Sequence, residues 1–401
     1  MRDILFIIIW KLQGIIMREV VVIGVGQTKI SEHWDKSLKE LAGEAIFEAV
    51  ANTGIQRIDG VFVGNMMSSI ANKQQHLGTY ISDWIGSKGN EAMRLETACS
   101  SGAAAFRAAL FSIASGELDT AVAVGVEKMT DSPTSEITSG LATAADADWE
   151  VSQGVSFVAL NALIMQRYLH EYEWLRKDFA QFSINAHKNA LTNPNARLRM
   201  TLTQEQFDSS SVICDPITLM DASPIGDGAA AAVLIPKEKI QTFENQKIVR
   251  IAGSGASSDL ISIHERKDPL WLTAAERSSK AAYSQAGIGP QDIDFFEYHD
   301  AFTIMAALSL EACGFSERGN APRLALENEI GLEGKIPVAT FGGLKARGHP
   351  VGATGLYQIV EVVKQLYGDA GENQVANAKW GIAQNIGGSG SNIITHIFTN
   401  A

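Results

Sequence analysis

Cysteine is scarce in this 401-residue chain: Cys99, Cys214 and Cys313 stand more than ninety residues apart. Without a C-x-x-C pair there is no disulfide framework and no thiolate zinc site to read, and the expected setting is a reducing cytoplasm. Positive charge is short too. The 33 Lys and Arg against 45 Asp and Glu leave a net −12, which argues against nucleic-acid or acidic-membrane binding, since both need a basic face. Long apolar runs are missing as well. "ILFIIIW" at residues 4–10 is stopped by Lys11, well short of the ~20 residues of a membrane span. No small-residue cleavage site follows it, so it does not read as a signal peptide. "GVGQTK" lacks the spacing of a dinucleotide fingerprint, which removes the support for NAD binding. No cofactor and no metal site are expected.

What is present is a glycine-rich, apolar composition, 46% hydrophobic and 19% charged with 36 glycines. That is the balance of a globular α/β protein, long enough for two or three domain-sized units. The chain also repeats itself. "EVVVIGVGQTKIS" (19–31) and "IVRIAGSGASSD" (248–259) are β-branched runs that end in glycine turns, and each is followed by a helical stretch and a second strand, "IDGVFVGN" and "IDFFEYHD". "ACSSGAAAF" from Ala98 matches "GHPVGATGL" from Gly348, so that Cys99 pairs with His349 and Gly102 with Gly352, both 250 residues apart. "DTAVAVGVEK" (119–128) corresponds to "KWGIAQNIGGSGSN" (379–392). Four matched elements in one order define two copies of a strand–helix–strand–helix–strand unit. Strands alternating with helices predict a layered architecture with mostly parallel, buried sheets.

The expected organisation is an extension at residues 1–16, an N-terminal half at 17–247 and a C-terminal half at 248–401. Residues of about 130–220 break the pattern with polar loops (131–148), an amphipathic stretch "NALIMQRYLHEYEW" and a helix around "KDFAQFSINAHKNALTN". Such an insert is too long for an ordinary loop and suggests a lid or binding subdomain.

Cys99 taken alone reads as a small buried hydrophobe. Its pairing with His349 favours a nucleophile, because two copies packed about a pseudo-twofold bring matched helix N-termini together. A helix N-terminus and a nearby imidazole would both lower the thiol pKa. The small residues from Gly102 to Ala105 let that helix pack deeply.

Five segments resemble the signature blocks of the thiolase family, in the family's order: "ACSSGAAA", "DASPIGDGAAAAVL", "EYHDAFT", "GGLKARGHPVGATG" and "NIGGSGSN". The pairing of "HDAF" with "KARGHPVGATG" is most similar to the sterol-carrier-protein-type and archaeal acetoacetyl-CoA thiolases. The resemblance implies a five-layer αβαβα fold of two repeated halves with an inserted loop subdomain. It further implies a homodimer or dimer of dimers in lipid metabolism, a coenzyme A thioester as substrate, and the Claisen condensation of two acetyl-CoA or its thiolytic reverse. Cys99 would be acylated, and His349 would take its proton and later, in an oxyanion hole with His299, polarise the thioester oxygen. His299, where many thiolases carry Asn, would hold the enolate oxygen, and the N–H groups of Cys99 and Gly387 would form the second oxyanion hole. Phe302, Ser254, Lys345, Arg347 and Asn385 are the substrate contacts it implies. Lys345 and Arg347 read equally as a solvated loop pair. Asp227 reads as a turn residue, and Asp300 as one that orients its neighbours.

One departure from the family is plain. The second cysteine, which shuttles the α-proton, is replaced by Asn385 or Ala301, and neither can do acid–base work. Cys214 and Cys313 fall outside the motifs and read as core residues. The resulting Cys–His–His set also resembles decarboxylating ketosynthases, so an acyltransferase or decarboxylating condensing enzyme stands as an alternative. A thiolase-like subunit that works beside a zinc-ribbon/OB-fold protein is another.

Overall fold

The computed structural model describes residues 17–242 and 247–401; residues 1–16, read above as an extension, lie outside the described residues. The first half supplies β1 (Val20–Gln27), β2 (Gly60–Gly64), β3 (Glu91–Leu95), β4 (Ala121–Glu127) and β7 (Gly228–Pro236), with a short ribbon, β5 (Val212–Cys214) and β6 (Ile217–Thr218), inside the insert. The second half supplies β8 (Val249–Ser258), β9 (Phe295–Glu297), β10 (Trp380–Gly387) and β11 (Asn392–Thr399). Nine of these strands join in the order β3-β2-β4-β7-β1-β8-β11-β10-β9. The halves meet where β1 and β8 pair antiparallel over two residues, Val21–Val22 against Val249–Arg250.

Outward from that seam, the two halves have one order. The second half shows no named strand matching β3, but an isolated parallel bridge from Phe296 to Val338 marks its place. The sheets are mixed, which corrects the expectation of mostly parallel strands. β2 runs parallel to β3 and β4, and β9 parallel to β10, whereas β7 and β11 return antiparallel beside β4 and β10. The turn between β10 and β11 spans only residues 388–391, too short for the crossover that a parallel partner requires.

Helices close both faces. α1 (Leu38–Val50) covers β1, β7 and β4, and α5 (Thr273–Ala286) covers β8 and β11. Between the half-sheets lie α2 (Ser101–Ala114) and α7 (Thr354–Tyr367), which touch each other, giving five layers. Within β1, Val21 and Ile23 face α1 while Val20 and Val22 face the central helices. Burial on both faces explains why these strands read as unbroken apolar runs. The insert carries α3 (Phe157–Tyr172) and α4 (Ala180–Ala190). Its polar opening is not all loop: residues Thr134–Ala142 form a helix whose Ile137 is buried, and its Gly140 lies where a Cβ would come 2.3 Å from Met67 Cε. α6 (Thr303–Ala312) follows the "HDAF" block.

The repeated G-x-G is a packing device. A Cβ at Gly24 or Gly26 would stand 2.0 or 2.3 Å from a carbonyl oxygen of α1, and at Gly253 or Gly255 2.2 or 1.9 Å from one of α5. The central crossing has the same character. A Cβ at Gly102 would meet Gly352 O and Leu356 N at 3.0 Å, and one at Gly355 would meet Ala103 N at 2.5 Å. Helix propensity alone makes Gly355→Ala stabilising by about 1 kcal/mol. The overpacking here outweighs it, at about 1–3 kcal/mol, so thermal unfolding of Gly355→Ala should move to lower temperature by a few degrees.

Candidate active site

β3 ends at Leu95, and the chain turns through Ala98, which takes φ +52°, before α2 begins at Ser101. A left-handed alanine costs about 1–3 kcal/mol. Local bonds offset it: Ala98 N donates to Glu96 Oε1 (2.5 Å), Ser101 Oγ donates to Ala98 O (2.6 Å), and Thr97 N donates to Ser101 Oγ (3.0 Å). Cys99 sits on this turn, 3% exposed. Burial pushes its thiol up to about 12, and the nearby Glu127 adds to the shift, while its own N–H and that of Gly388 oppose it. The expected lowering by a helix N-terminus is therefore overturned, because desolvation of the anion dominates. Burial thus favours the thiol form of Cys99.

Two histidines stand together nearby. His349 follows a one-turn π-helix (Gly343–Arg347) and is anchored by its N–H to Pro224 O at 2.9 Å, while its Nδ1 meets Thr354 Oγ1 at 2.7 Å. His299 follows β9, and its Nδ1 faces Asn385 Nδ2 at 2.9 Å. The ring centroids lie 5.2 Å apart at 88°. Burial keeps both rings neutral, pushing His349 down to about 3 and His299 well below the ordinary imidazole value. With the Asn385 amide nitrogen against Nδ1, the His299 proton sits on Nε2 and the ring presents a donor. In the tautomer in which His349 Nδ1–H donates to Thr354 Oγ1, its Nε2 presents a lone pair.

Cys99 joins this pair through packing. It shares a cluster with Met66, Met67, Met129 and Val351, the last two residues beyond His349. A cavity of about 420 Å³ opens beside the turn, lined by Met66, Arg94, Thr97, Ala98, Gly387 and Asn392. Gly387 lies against Thr97 O and Ser100 Oγ, while the N–H that faces the sulfur is that of Gly388. Phe302 is buried at the start of α6, 5.9 Å from the Phe157 ring and bridged to Ala222.

Other expected contacts fall elsewhere. Arg347 is fully buried, with Nη1 2.5 Å from Glu361 Oε2 and its guanidinium 5.3 Å over the Tyr357 ring. Lys345 is 3% exposed and donates to Ala222 O at 2.7 Å. Burial argues against both the implied substrate contact and the solvated loop pair for these two residues. Ser254 sits within β8, where its hydroxyl accepts from Arg107 Nη1 at 2.5 Å. Asp227 does more than stabilise a turn: its oxygens accept from the N–H groups of Met129 (2.7 Å), Thr130 (3.1 Å) and His33 (3.1 Å), tying three segments together. Asp300 accepts from Leu344 N at 2.7 Å and Lys345 N at 3.3 Å, which shapes the π-helical turn before His349. Cys313 is buried and accepts from Gln384 Nε2 at 2.9 Å, whereas Cys214 is half-buried in the ribbon. Thr354, Gly388 and Glu127 act on His349 and Cys99 although the sequence reading does not single them out. Thr354 stands inside the His349 block, and Glu127 is a lone carboxylate that closes an apolar strand, which is itself a signal.

A thiolase N-terminal domain model matches residues 20–238, and a model described as thiolase C-terminal domain-like matches residues 255–400. The chain is 40% identical over 385 residues to an acetyl-CoA acetyltransferase of Methanothermobacter thermautotrophicus, a match covering 96% of this chain and all of that one. It is 29% identical to bovine (Bos taurus) sterol carrier protein 2, over 96% of this chain and 73% of the relative. Among solved structures, the "Ltp2-ChsH2(DUF35) aldolase" superposes with a TM-score of 0.83 at 21% identity, over 96% of this chain and 98% of that one, a likeness of fold. The chain belongs to the thiolase family.

Because burial holds His349 well below the ordinary imidazole value, the ring stays neutral throughout the neutral range. The rate of Cys99 acylation should show no imidazole inflection between about pH 5 and 8, where an ordinary histidine with pKa near 6.5 would give one. Thr354→Val, which removes the Nδ1 partner, should slow acylation by at least about tenfold, as rapid-quench measurement can show; a positioned base contributes 10²–10⁴-fold in general.

Proposed function

We propose that this thiolase condenses two molecules of acetyl-CoA into acetoacetyl-CoA, or cleaves a 3-ketoacyl-CoA in reverse, through an acyl group on Cys99. The observation that carries this reading is the pair of buried imidazoles, His299 and His349, held neutral with ring centroids 5.2 Å apart at 88°. The full-length likeness to an acetyl-CoA acetyltransferase supports it.

In the first half-reaction His349 Nε2 takes the Cys99 proton as the sulfur attacks the thioester carbonyl. The C–S bond to coenzyme A breaks, and the proton leaves with the departing thiolate as CoA-SH. The tetrahedral oxyanion is assigned to the N–H groups of Cys99 and Gly388, the two that face the sulfur, and one such donor contributes about 3–4 kcal/mol. His349 is neutral again when the second acetyl-CoA arrives. The thioester oxygen of that substrate accepts from His299 Nε2–H. The Nδ1 lone pair of His299 accepts from the Asn385 amide, so His299 is assigned the donor's part and not that of a proton carrier. His349 takes the α-proton instead, the carbanion attacks the acyl carbon, and the Cys99 thiolate leaves and recovers that proton. One base thus balances both steps without a second cysteine. Phe302 walls the substrate side of His299.

We assign the reaction to a homodimer or dimer of dimers in a reducing cytoplasm, which three free cysteines support. The DUF35 component in the name of the structural neighbour supports an accessory protein, and assay of the purified chain alone tests that requirement. The Cys–His–His set keeps a decarboxylating condensation as the second reading; consumption of malonyl-CoA with release of CO₂ would select it.

Acetyl-CoA should leave an acetyl group on the Cys99 peptide, and Cys99→Ala should abolish exchange and condensation; acetyl on Cys214 or Cys313 would overturn the assignment. His299→Ala should still acylate Cys99 but lose condensation by about 10²–10⁴-fold, whereas His349→Ala should slow both steps. Equal loss of both steps in His299→Ala would show that His299 merely holds the site together.

A further inference from the structure

Gly388 and Gly390 flank Ser389 in the turn between β10 and β11, and both take left-handed backbone, φ +59° and +95°. This turn stands against Cys99. A Cβ at Gly387 would come 2.3 Å from Thr97 O and 2.7 Å from Ser100 Oγ, and Gly387 and Ala98 line one cavity. Two glycines around one residue give the turn little stiffness of its own, because glycine has more backbone freedom to lose than any other residue. What holds it comes from elsewhere in the chain. Arg266, 8% exposed, donates from Nη1 to Ser389 O at 2.6 Å and from Nε to Leu260 O at 3.0 Å. The segment that carries Arg266 is fastened to the insert: Ile263 N donates to Glu150 Oε1 at 2.7 Å, and Ser262 Oγ donates to Asp146 Oδ2 at 2.8 Å. The insert reaches the turn as well, with Ala144 O 2.8 Å from where a Cβ at Gly388 would lie.

We propose that Arg266 is a positioning residue, which clamps the 388–391 turn against the Cys99 turn so that the N–H of Gly388 meets the oxyanion formed during acyl transfer. This rests on the acyl-Cys99 reading above. Stability alone does not account for such a residue. Both of its hydrogen bonds go to carbonyl oxygens, not to carboxylates, and among the described residues its Nη2 has no hydrogen-bond partner. A buried cation held by neutral acceptors is costly to desolvate. What the guanidinium supplies in return is geometry: its donors are set in one rigid plane, so the carbonyls of Leu260 and Ser389 are tied at a fixed separation. β10 and β11 fix the two ends of the turn, and pinning Ser389 O between them restricts the rotations about Gly388 and Gly390. A donor acts on an oxyanion only where it is already aimed when charge develops, and losing one such donor costs about 10²–10³ in rate.

Acetylation and alkylation of Cys99 separate this role from general damage, since acyl transfer passes through a tetrahedral oxyanion and alkylation by iodoacetamide does not. In full-length Arg266→Met, rapid-quench acetylation at saturating acetyl-CoA should slow by at least about tenfold. Alkylation, read as the mass of the Cys99 peptide, should keep its wild-type rate. Arg266→Lys restores a donor without the planar fork and should recover part of the acetylation rate. Hydrogen exchange reads the clamp without turnover: the peptide carrying residues 387–391 should exchange faster in Arg266→Met, while α1 should not change. Acetylation of Arg266→Met at the wild-type rate, or acetylation and alkylation slowed alike, overturns the proposal, and so does unchanged exchange of the turn. If Arg266→Met does not fold, Arg266→Lys decides by the same measurements: slowed acetylation with intact alkylation supports the clamp, and a wild-type rate overturns it. Failure of wild-type Cys99 to take acetyl from acetyl-CoA would instead sink the acyl-Cys99 reading, and the exchange measurement would still decide whether Arg266 holds the turn.

Discussion

The approach of two helices without side chains between them is the constraint on which the site depends. At Gly102 and Gly355 the backbones of α2 and α7 come so close that a single β-carbon on Gly355 would strike Ala103 N. That closeness brings together the start of α2, which follows Cys99, and the start of α7, which follows His349. Everything downstream inherits the distance. The Cys99 turn, the histidine loop and the end of β10 with Asn385 and Gly388 all hang from this crossing. Interiors packed to crystal-like density do not absorb an added methyl without shifting their neighbours.

Charge inside the molecule follows from the same depth of burial. Glu127, Glu297, Asp300, Arg347 and Glu361 are at most 3% exposed. Arg347 and Glu361 form an ion pair within the central layer, and Glu297 accepts from Thr340 N at 2.8 Å. These groups shape loops more than they bind solvent. Asp300 sets the turn before His349, and Glu127 sets the turn after it, so the histidine is held from both sides by carboxylates that accept backbone N–H groups. An imidazole placed this way needs no charge of its own to be fixed.

Much of this is legible in the chain. The repeat defines the two halves, the 250-residue offset brings Cys99 and His349 to one crossing, and the glycine-rich blocks carry the family. Alternation of apolar residues cannot report strand direction, because a strand buried on both faces looks alike whichever way its neighbour runs; hence the mixed sheets stay hidden. Burial of Lys345 and Arg347 is hidden too, since two basic residues in a glycine-rich stretch read as surface. The raised Cys99 thiol escapes for a related reason. A helix N-terminus is visible in sequence, but the depth of the pocket and the carboxylate of Glu127 behind it belong to residues brought together only by folding. Asp227 shows in sequence only its Asp-Gly neighbour, while its partners at His33 and Met129 lie far away along the chain.

The central crossing also bears on how such a chain could have arisen. A protein carrying only one copy of the unit would present the small-residue face of its single central helix to water, with a glycine where a neighbouring backbone belongs. It could bury that face against an identical molecule related by a twofold axis, the self-complementary contact of a symmetric dimer. The seam between β1 and β8, two antiparallel residue pairs long, is the contact such a dimer would make at its axis. Two copies in one chain make that encounter covalent and let the matched positions differ, one helix start carrying a sulfur and its twin an imidazole.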